Sequence, residues 1–94
     1  MRIPVFTTKE SFILWHEREI EAMTKNGLRQ AKEEYESALK GVGRQAWLDL
    51  NNIPAEDADE MWSHKLQYLA DSIRYIERKI KRYQKKIDQC RMSA

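Results

Sequence analysis

The sequence contains few of the residues that characterise secreted, membrane-spanning or disulfide-bonded proteins. Its single cysteine, Cys90, cannot form an internal disulfide. It also has no apolar run of about eighteen residues and no hydrophobic stretch of the kind found in signal peptides. We therefore expect a cytosolic protein that does not insert into a membrane, with Cys90 as a free thiol in an apolar position.

Glycine and proline are also scarce, with three and two copies, whereas 34% of the residues are charged. This composition is typical of a helical protein with charged faces rather than of a catalytic globular domain. No segment alternates apolar and polar residues as a half-buried strand would. A single domain of 94 residues buries only about 60 to 65 per cent of its unfolded surface, so oligomerisation would add stability.

The motifs of metal sites and enzyme active sites are incomplete. His16 and Glu17 begin like the helix of a zinc protease, but the residue four positions after His16 is Ile20. His64 has Glu60 one turn earlier and no further ligand at a suitable spacing. There is no glycine-rich phosphate loop, and no Ser-His-Asp set or carboxylate pair that could be placed in a cleft. We expect two exposed or half-buried histidines and no catalytic activity, metal, cofactor or small-molecule substrate.

The C-terminal third carries an unbroken heptad pattern of apolar residues. They recur at alternating steps of four and three, with no proline or glycine between them. The corresponding helix is about 43 Å long, which exceeds the ~30 Å across a compact domain of this size. Its apolar stripe therefore needs a partner. The predicted seam consists of Trp62, Leu66, Leu69, Ile73, Ile76, Ile80, Tyr83, Ile87 and Cys90.

Breaks in composition divide the chain into segments. Gly41 and Gly43 lie close together and should end the first helix. Pro54 suits the first turn of the next helix, where Glu56 and Asp57 place negative charge near the positive end of the helix dipole. We predict an all-α fold with an extended lead-in over 1–7, an acidic helix over 8–41, a short helix or turn over 44–52, and a long basic helix over 55–91.

The first helix is predicted to begin at a capping box and to pass an ambiguous point in its middle. Thr7 and Glu10 have the spacing of a capping box. Asn26 and Gly27 can end a helix in the left-handed conformation, yet the apolar stripe continues across them. We favour one long helix, in which Gly27 permits a close backbone approach by a neighbour and so offsets a propensity cost of about 1 kcal/mol.

Charge is unevenly divided between the two halves of the chain. Residues 1–64 hold eight Lys or Arg against twelve Asp or Glu, a formal charge of −4, whereas residues 65–94 hold nine against three, a formal charge of +6. In the basic half, Tyr68 and Tyr75 lie beside Arg82 on the predicted helix. This basic face could bind nucleic-acid phosphates directly, or it could be the solvated outside of a coiled coil. Its candidate phosphate-binding residues are Arg74, Arg78, Lys81, Arg82 and Lys85.

The acidic half also allows two interpretations. Carboxylates on the outside of a helix usually serve only to solvate it. Spaced carboxylates can also imitate the phosphates of DNA and occupy the nucleic-acid channel of another protein. The candidate partner-binding residues on this acidic face are Glu17, Glu21, Glu33, Glu34 and Glu36.

The charges flanking the seam disfavour a parallel two-stranded coiled coil. None of the flanking pairs in such a coil would be an attractive ion pair, and Lys86 against Arg91 would be repulsive. Antiparallel pairing uses the charge asymmetry better, and so does packing against the acidic helix of the same or another chain. We therefore predict a helical homodimer of hairpin-like subunits with coiled-coil-like packing.

Three helical segments carry spaced identities to one family. They are AKEEYESAL at Ala31–Leu39, QAWLDL at Gln45–Leu50, and the helix from Ser72 to Asp88 that begins SIRYI. In these segments the chain resembles the Gam host-nuclease inhibitor of lambda-like phages and the short anti-RecBCD accessory proteins of related phages. The likeness covers roughly residues 31–88 with a shorter middle loop, and rests on spaced identities rather than on a signature motif.

The resemblance implies an all-helical dimer in the host cytoplasm that binds the host RecBCD helicase-nuclease. Such a protein would obstruct the DNA-end site of the enzyme, protect linear phage DNA and favour recombination, without catalysis or a cofactor. Gam acts as a DNA mimic, whereas this chain is slightly basic and its Gam-like C-terminal helix strongly so. That departure shifts attention from the C-terminal helix to the acidic face of the first helix.

Overall fold

A computed structural model describes residues 8–93, and this part of the chain contains helices and no strands. The prediction of an all-α fold is confirmed. A π-helical turn joins α1 to α2, and a 3₁₀ turn precedes α4. In chain order the elements are α1 (Lys9–Ala22), the π turn (Met23–Leu28), α2 (Arg29–Leu39), α3 (Arg44–Leu50), the 3₁₀ turn (Ala55–Asp57) and α4 (Ala58–Met92).

The molecule is a long antiparallel hairpin. At its open end the Lys9 ammonium donates a hydrogen bond to the backbone oxygen of Ser93, with a distance of 2.7 Å. Halfway along, Gly27 lies against Ile76, so the two arms of the hairpin run in opposite directions. The first arm consists of α1, the π turn and α2, and the second arm is α4. The overall dimensions are 61 × 23 × 18 Å. The long C-terminal helix therefore packs along the first long helix of its own chain.

The first arm begins at a capping box formed by Thr8 and Ser11. The Ser11 backbone N–H donates to the Thr8 hydroxyl at 3.0 Å, and the Thr8 backbone N–H donates to the Ser11 hydroxyl at 3.3 Å. Each side chain therefore satisfies a backbone donor that the helix cannot. Thr7 of the predicted pair lies outside the described residues, as does the predicted lead-in over 1–7. The N-cap of α1 is Thr8, and Ser11 has the role that was assigned to Glu10.

The first arm stays helical across Asn26 and Gly27, in the π turn. Apolar or small residues on this arm follow each other at three successive steps of four, from Met23 through Gly27 to Tyr35. At about 100° per residue, each such step moves the stripe about 40° beyond a full turn. The wider π turn absorbs part of this drift, because its hydrogen bonds span five residues rather than four. The stripe thereby remains directed at α4.

A glycine-based reversal separates α2 from α3. The Gly41 N–H donates to the Ala38 oxygen at 2.9 Å, and the Val42 N–H donates to the Ser37 oxygen at 3.1 Å. These two bonds form a Schellman motif, which satisfies the last carbonyls of α2. Gly41 has a φ of 81°, in the left-handed region that glycine favours.

The hydrophobic core is small and lies along the contact between the two arms. Within residues 8–93 its buried apolar side chains are Ala38, Leu48, Leu69 and Ile87. Of the nine predicted seam residues, Leu69 and Ile87 are buried. The other seven are half-buried, so one chain covers its own seam only in part.

His16 is buried, with only 4% of its surface exposed, and this corrects the expectation that both histidines are exposed or half-buried. Its ring lies 4.2 Å from the Phe12 ring and 5.1 Å from the Tyr83 ring, measured between centroids. Its Nδ1 is 2.8 Å from the Phe12 backbone oxygen. His16 therefore serves as a packing residue that joins α1 to α4, whereas His64 is exposed as expected.

Candidate partner-binding surfaces

The outer face of α4 carries a stripe of positive charge, which we call the basic stripe: Arg74, Arg78, Lys81, Arg82 and Lys85. Four of its members recur at steps of four, three and four, so they form a line along one side of the helix. At about 100° per residue, that line is roughly opposite the buried positions Leu69 and Ile87. The stripe therefore faces away from α1 and α2, and all five residues are exposed.

Most of the basic stripe has no acidic partner. Arg74 Nη1 is 3.9 Å from an Asp71 carboxylate oxygen. Arg78 donates from Nε to the Arg74 backbone oxygen at 3.4 Å. Among the described residues no carboxylate lies within 4.0 Å of the charged nitrogens of Arg78 or the other three members, although Glu77 shares a shallow groove with Arg78. These exposed cations are therefore available to an anion from outside the molecule.

Three of the five acidic candidates are instead paired with cations of the same chain. Arg91 on α4 donates to Glu17 at 3.3 Å, which ties the two arms together at the open end. The ammonium of Lys25 lies 2.6 Å from the Glu21 carboxylate. Glu33 lies 3.8 Å from Arg29, one turn away on α2.

Lys25 changes the acidity of its partner. The hydrogen bond from Lys25, followed by its positive charge, lowers the pKa of Glu21 below the ordinary value for a glutamate. The same bond and the negative charge of Glu21 raise the pKa of Lys25. Both groups are exposed. The pair keeps Glu21 ionised, but Lys25 offsets part of the negative charge that Glu21 presents to another molecule.

The acidic candidates do not form one continuous surface. Glu33 and Glu36 lie one turn apart on α2 and face away from the buried Ala38, whereas Glu34 borders a groove on the side of the hairpin. Glu17 lies on α1, about 28 Å along the arm from Glu36 at ~1.5 Å per residue. The structure therefore brings together the pair Glu33 and Glu36, and separately Glu17 with Glu21.

A further surface was not predicted from the sequence. At the closed end of the hairpin, an open groove of about 430 Å³ lies between α2, α3 and α4. Its lining includes Trp47, Trp62, Glu34 and Lys65. The two indole rings meet edge to face, with centroids 5.5 Å apart. Their separation in sequence hides this contact, since it depends on how the glycine turn folds α3 back onto α4.

Two further findings concern the described part of the chain. Within residues 8–93, no group of three His, Cys, Asp or Glu side chains is placed to hold a metal ion. No helix among the same residues is both long enough and apolar enough to cross a membrane.

Comparisons of the chain with protein-family models, with curated proteins and with solved structures find no match.

Proposed function

We propose that this chain is a non-enzymatic phage protein that binds and inhibits a host helicase-nuclease of the RecBCD type. One observation carries the proposal: the segments with Gam-like sequence lie on three separate helices that belong to one hairpin. Ala31–Leu39 lies in α2, Gln45–Leu50 lies in α3, and Ser72–Asp88 lies within α4. Inhibition would protect linear phage DNA from degradation and favour its recombination.

In this proposal, carboxylates of the first arm contact the basic DNA-end site of the enzyme as a partial imitation of DNA. Glu33 and Glu36 are the best placed, because they are exposed neighbours on the outer face of α2. Glu36 also has no cation within 4.0 Å among the described residues. Glu17, Glu21 and Glu34 would add charge at the sides of the hairpin. Contacts of this kind weaken as salt screens them.

Retention of the purified protein on an immobilised RecBCD-type enzyme tests this proposal. We expect retention that falls as ionic strength rises, and weaker retention of the double variant Glu33→Gln with Glu36→Gln. The matched control is Glu56→Gln with Glu60→Gln, which removes the same number of charges at exposed residues outside the acidic candidates. Absence of a complex at low salt would overturn the proposal.

The proposal includes a homodimer. Its support is the incomplete coverage of the seam, since Leu66, Ile73 and Ile80 remain half-buried within one chain. A second copy would remove these apolar surfaces from water, which stabilises by about 25 cal/mol per Å². Light scattering should give twice the monomer mass of 11.2 kDa, and a monomer at all accessible concentrations would rule the dimer out.

A second candidate function is direct binding of nucleic acid by the basic stripe. The observation that favours it is that Arg78, Lys81, Arg82 and Lys85 have no carboxylate within 4.0 Å among residues 8–93 and face away from the other arm. Phosphates that displace counterions along such a stripe give salt-sensitive, sequence-independent affinity. The protein alone should retard DNA or RNA in a gel at low salt, and no retardation there would remove this candidate.

A further inference from the structure

Two exposed tyrosines stand beside the basic stripe on α4. Tyr68 is 66% exposed and Tyr75 is 58% exposed, although tyrosine usually buries most of its ring. They border a shallow groove of about 300 Å³ together with Asp71, Ser72 and Ile76. Neither ring is stacked on another aromatic ring among the described residues, so no aromatic side chain there covers either of them.

Positive charge surrounds these rings. The Lys65 ammonium lies 5.8 Å from the centroid of the Tyr68 ring. Arg82 follows Tyr75 at the same seven-residue spacing that separates the two tyrosines, so it continues their line along the helix. Arg78 lies between Tyr75 and Arg82 on the next turn. The one carboxylate that borders the groove, Asp71, already accepts a hydrogen bond from Gln67 at 2.9 Å.

We propose that this face of α4 binds single-stranded nucleic acid, with bases stacked on Tyr68 and Tyr75 and phosphates held by Arg78 and Arg82. The inference rests on the second candidate function and specifies its ligand. In a duplex the bases are already stacked on each other, whereas a single strand can offer its bases to aromatic side chains. A line of cations without the tyrosines would bind single strands and duplexes alike.

The spacing of the tyrosines suits a short stretch of one strand. Seven residues of helix separate the ring positions by about 10 Å. At a stacked spacing of ~3.4 Å per nucleotide, that distance corresponds to about three nucleotides. Two bases of the same strand can therefore lie on the two rings while the backbone that continues past Tyr75 runs beside Arg78 and Arg82.

Charge argues against a second copy of the chain as the occupant of this face. Lys65, Lys79 and Lys86 flank the line of tyrosines, with the Lys79 and Lys86 ammonium groups 5.8 Å and 5.6 Å from the Tyr83 ring. Two such faces in contact would place like charges against each other, at a cost in stability. A polyanion meets the same lysines favourably.

Fluorescence anisotropy with a labelled oligothymidine and with a duplex of the same length tests the inference. We expect the full-length protein to bind the single strand more tightly than the duplex. Tyr68→Ala and Tyr75→Ala should each weaken single-strand binding by about tenfold and leave duplex binding nearly unchanged. Tyr68→Phe and Tyr75→Phe should retain most of the affinity, because phenylalanine preserves the stacking surface. Leu50→Ala is a matched control at an exposed residue elsewhere.

Three outcomes would overturn the inference. Equal affinity for single strand and duplex, with no effect of the tyrosine variants, would show that the tyrosines do not stack on bases. Phosphate binding by the basic stripe would then still be supported. No binding of either form would overturn both. A tyrosine double variant that loses a dimer, as measured by light scattering, and keeps its DNA affinity would assign this face to self-association. Circular dichroism of each variant separates these results from loss of folding.

Discussion

Gly27 packs against Ile76 without needing to be a glycine. A β-carbon added to Gly27 would lie 3.9 Å from the Ile76 Cδ1 atom, which is an ordinary van der Waals contact. Gly27 also keeps a helical backbone within the π turn. The expected close backbone approach at this position is therefore wrong, because the arms stay far enough apart to admit a methyl group.

Replacing Gly27 with alanine should consequently stabilise the protein. Alanine is favoured over glycine within a helix by about 1 kcal/mol, chiefly because it restricts the unfolded chain. Thermal unfolding followed by circular dichroism should show a higher midpoint for Gly27→Ala. The matched control is Gly41→Ala, which should lower the midpoint, because Gly41 has a φ of 81°. A lower midpoint for Gly27→Ala would mean that the π turn itself requires glycine.

The core residue Ile87 should be the most sensitive apolar position of α4. It is 1% exposed and is the largest fully buried side chain among the described residues. Ile87→Ala should cost about 2 to 4 kcal/mol of unfolding free energy, through lost burial and the cavity left behind. Met92→Ala on the same helix is the control, since Met92 is 85% exposed, and it should change stability by less than about 0.5 kcal/mol. Equal effects in urea unfolding would contradict the packing of the two arms.

The buried ring of His16 should be found in one tautomer. Its Nδ1 lies 2.8 Å from the Phe12 backbone oxygen. A carbonyl oxygen only accepts hydrogen bonds, so the neutral ring must carry its proton on Nδ1. Nitrogen chemical shifts of the neutral imidazole should show the Nδ1–H form for His16 and a mixture for the exposed His64. The Nε2–H form at His16 would contradict this contact.

The pair of Glu21 and Lys25 predicts a measurable shift in acidity. The hydrogen bond and charge of Lys25 lower the pKa of Glu21, so the pair stabilises the fold above the ordinary pKa of glutamate. That contribution is lost as the pH falls through the lowered pKa. Lys25→Ala should return the Glu21 pKa to its ordinary value in a carbon-detected NMR titration. Arg29→Ala should leave it lowered, and an unchanged pKa in Lys25→Ala would show that another group is responsible.

The sequence was sufficient to predict the main helices because their patterns are long and repetitive. Apolar residues at helical spacing around Leu69 and Ile87 specify one side of α4 over many turns, so a misreading of any single position does not change the assignment of the helix. The two glycines at 41 and 43 likewise mark the reversal, because few other residues adopt its backbone angles. These features depend only on local spacing and conformation.

Other features depend on which side chains meet across the hairpin, and local spacing does not reveal them. His16 is buried because Tyr83 on the opposite arm completes its aromatic surroundings, which no pattern within α1 indicates. The groove beside Trp47 and Trp62 likewise forms only once α3 folds against α4. The acidic candidates could be assigned to a helix but not to a surface, since Arg91 reaches Glu17 from the other end of the chain.

The degradation of linear duplex DNA by a purified RecBCD-type enzyme tests the proposed function most directly. Saturating protein should slow degradation by this enzyme but not by an unrelated exonuclease, because the inhibitor acts on the enzyme rather than by coating the DNA. The double variant Glu33→Gln with Glu36→Gln should protect less than the control Glu56→Gln with Glu60→Gln, which removes as many charges. Undiminished degradation at saturating protein, or equal protection against both enzymes, would contradict inhibition through a direct complex.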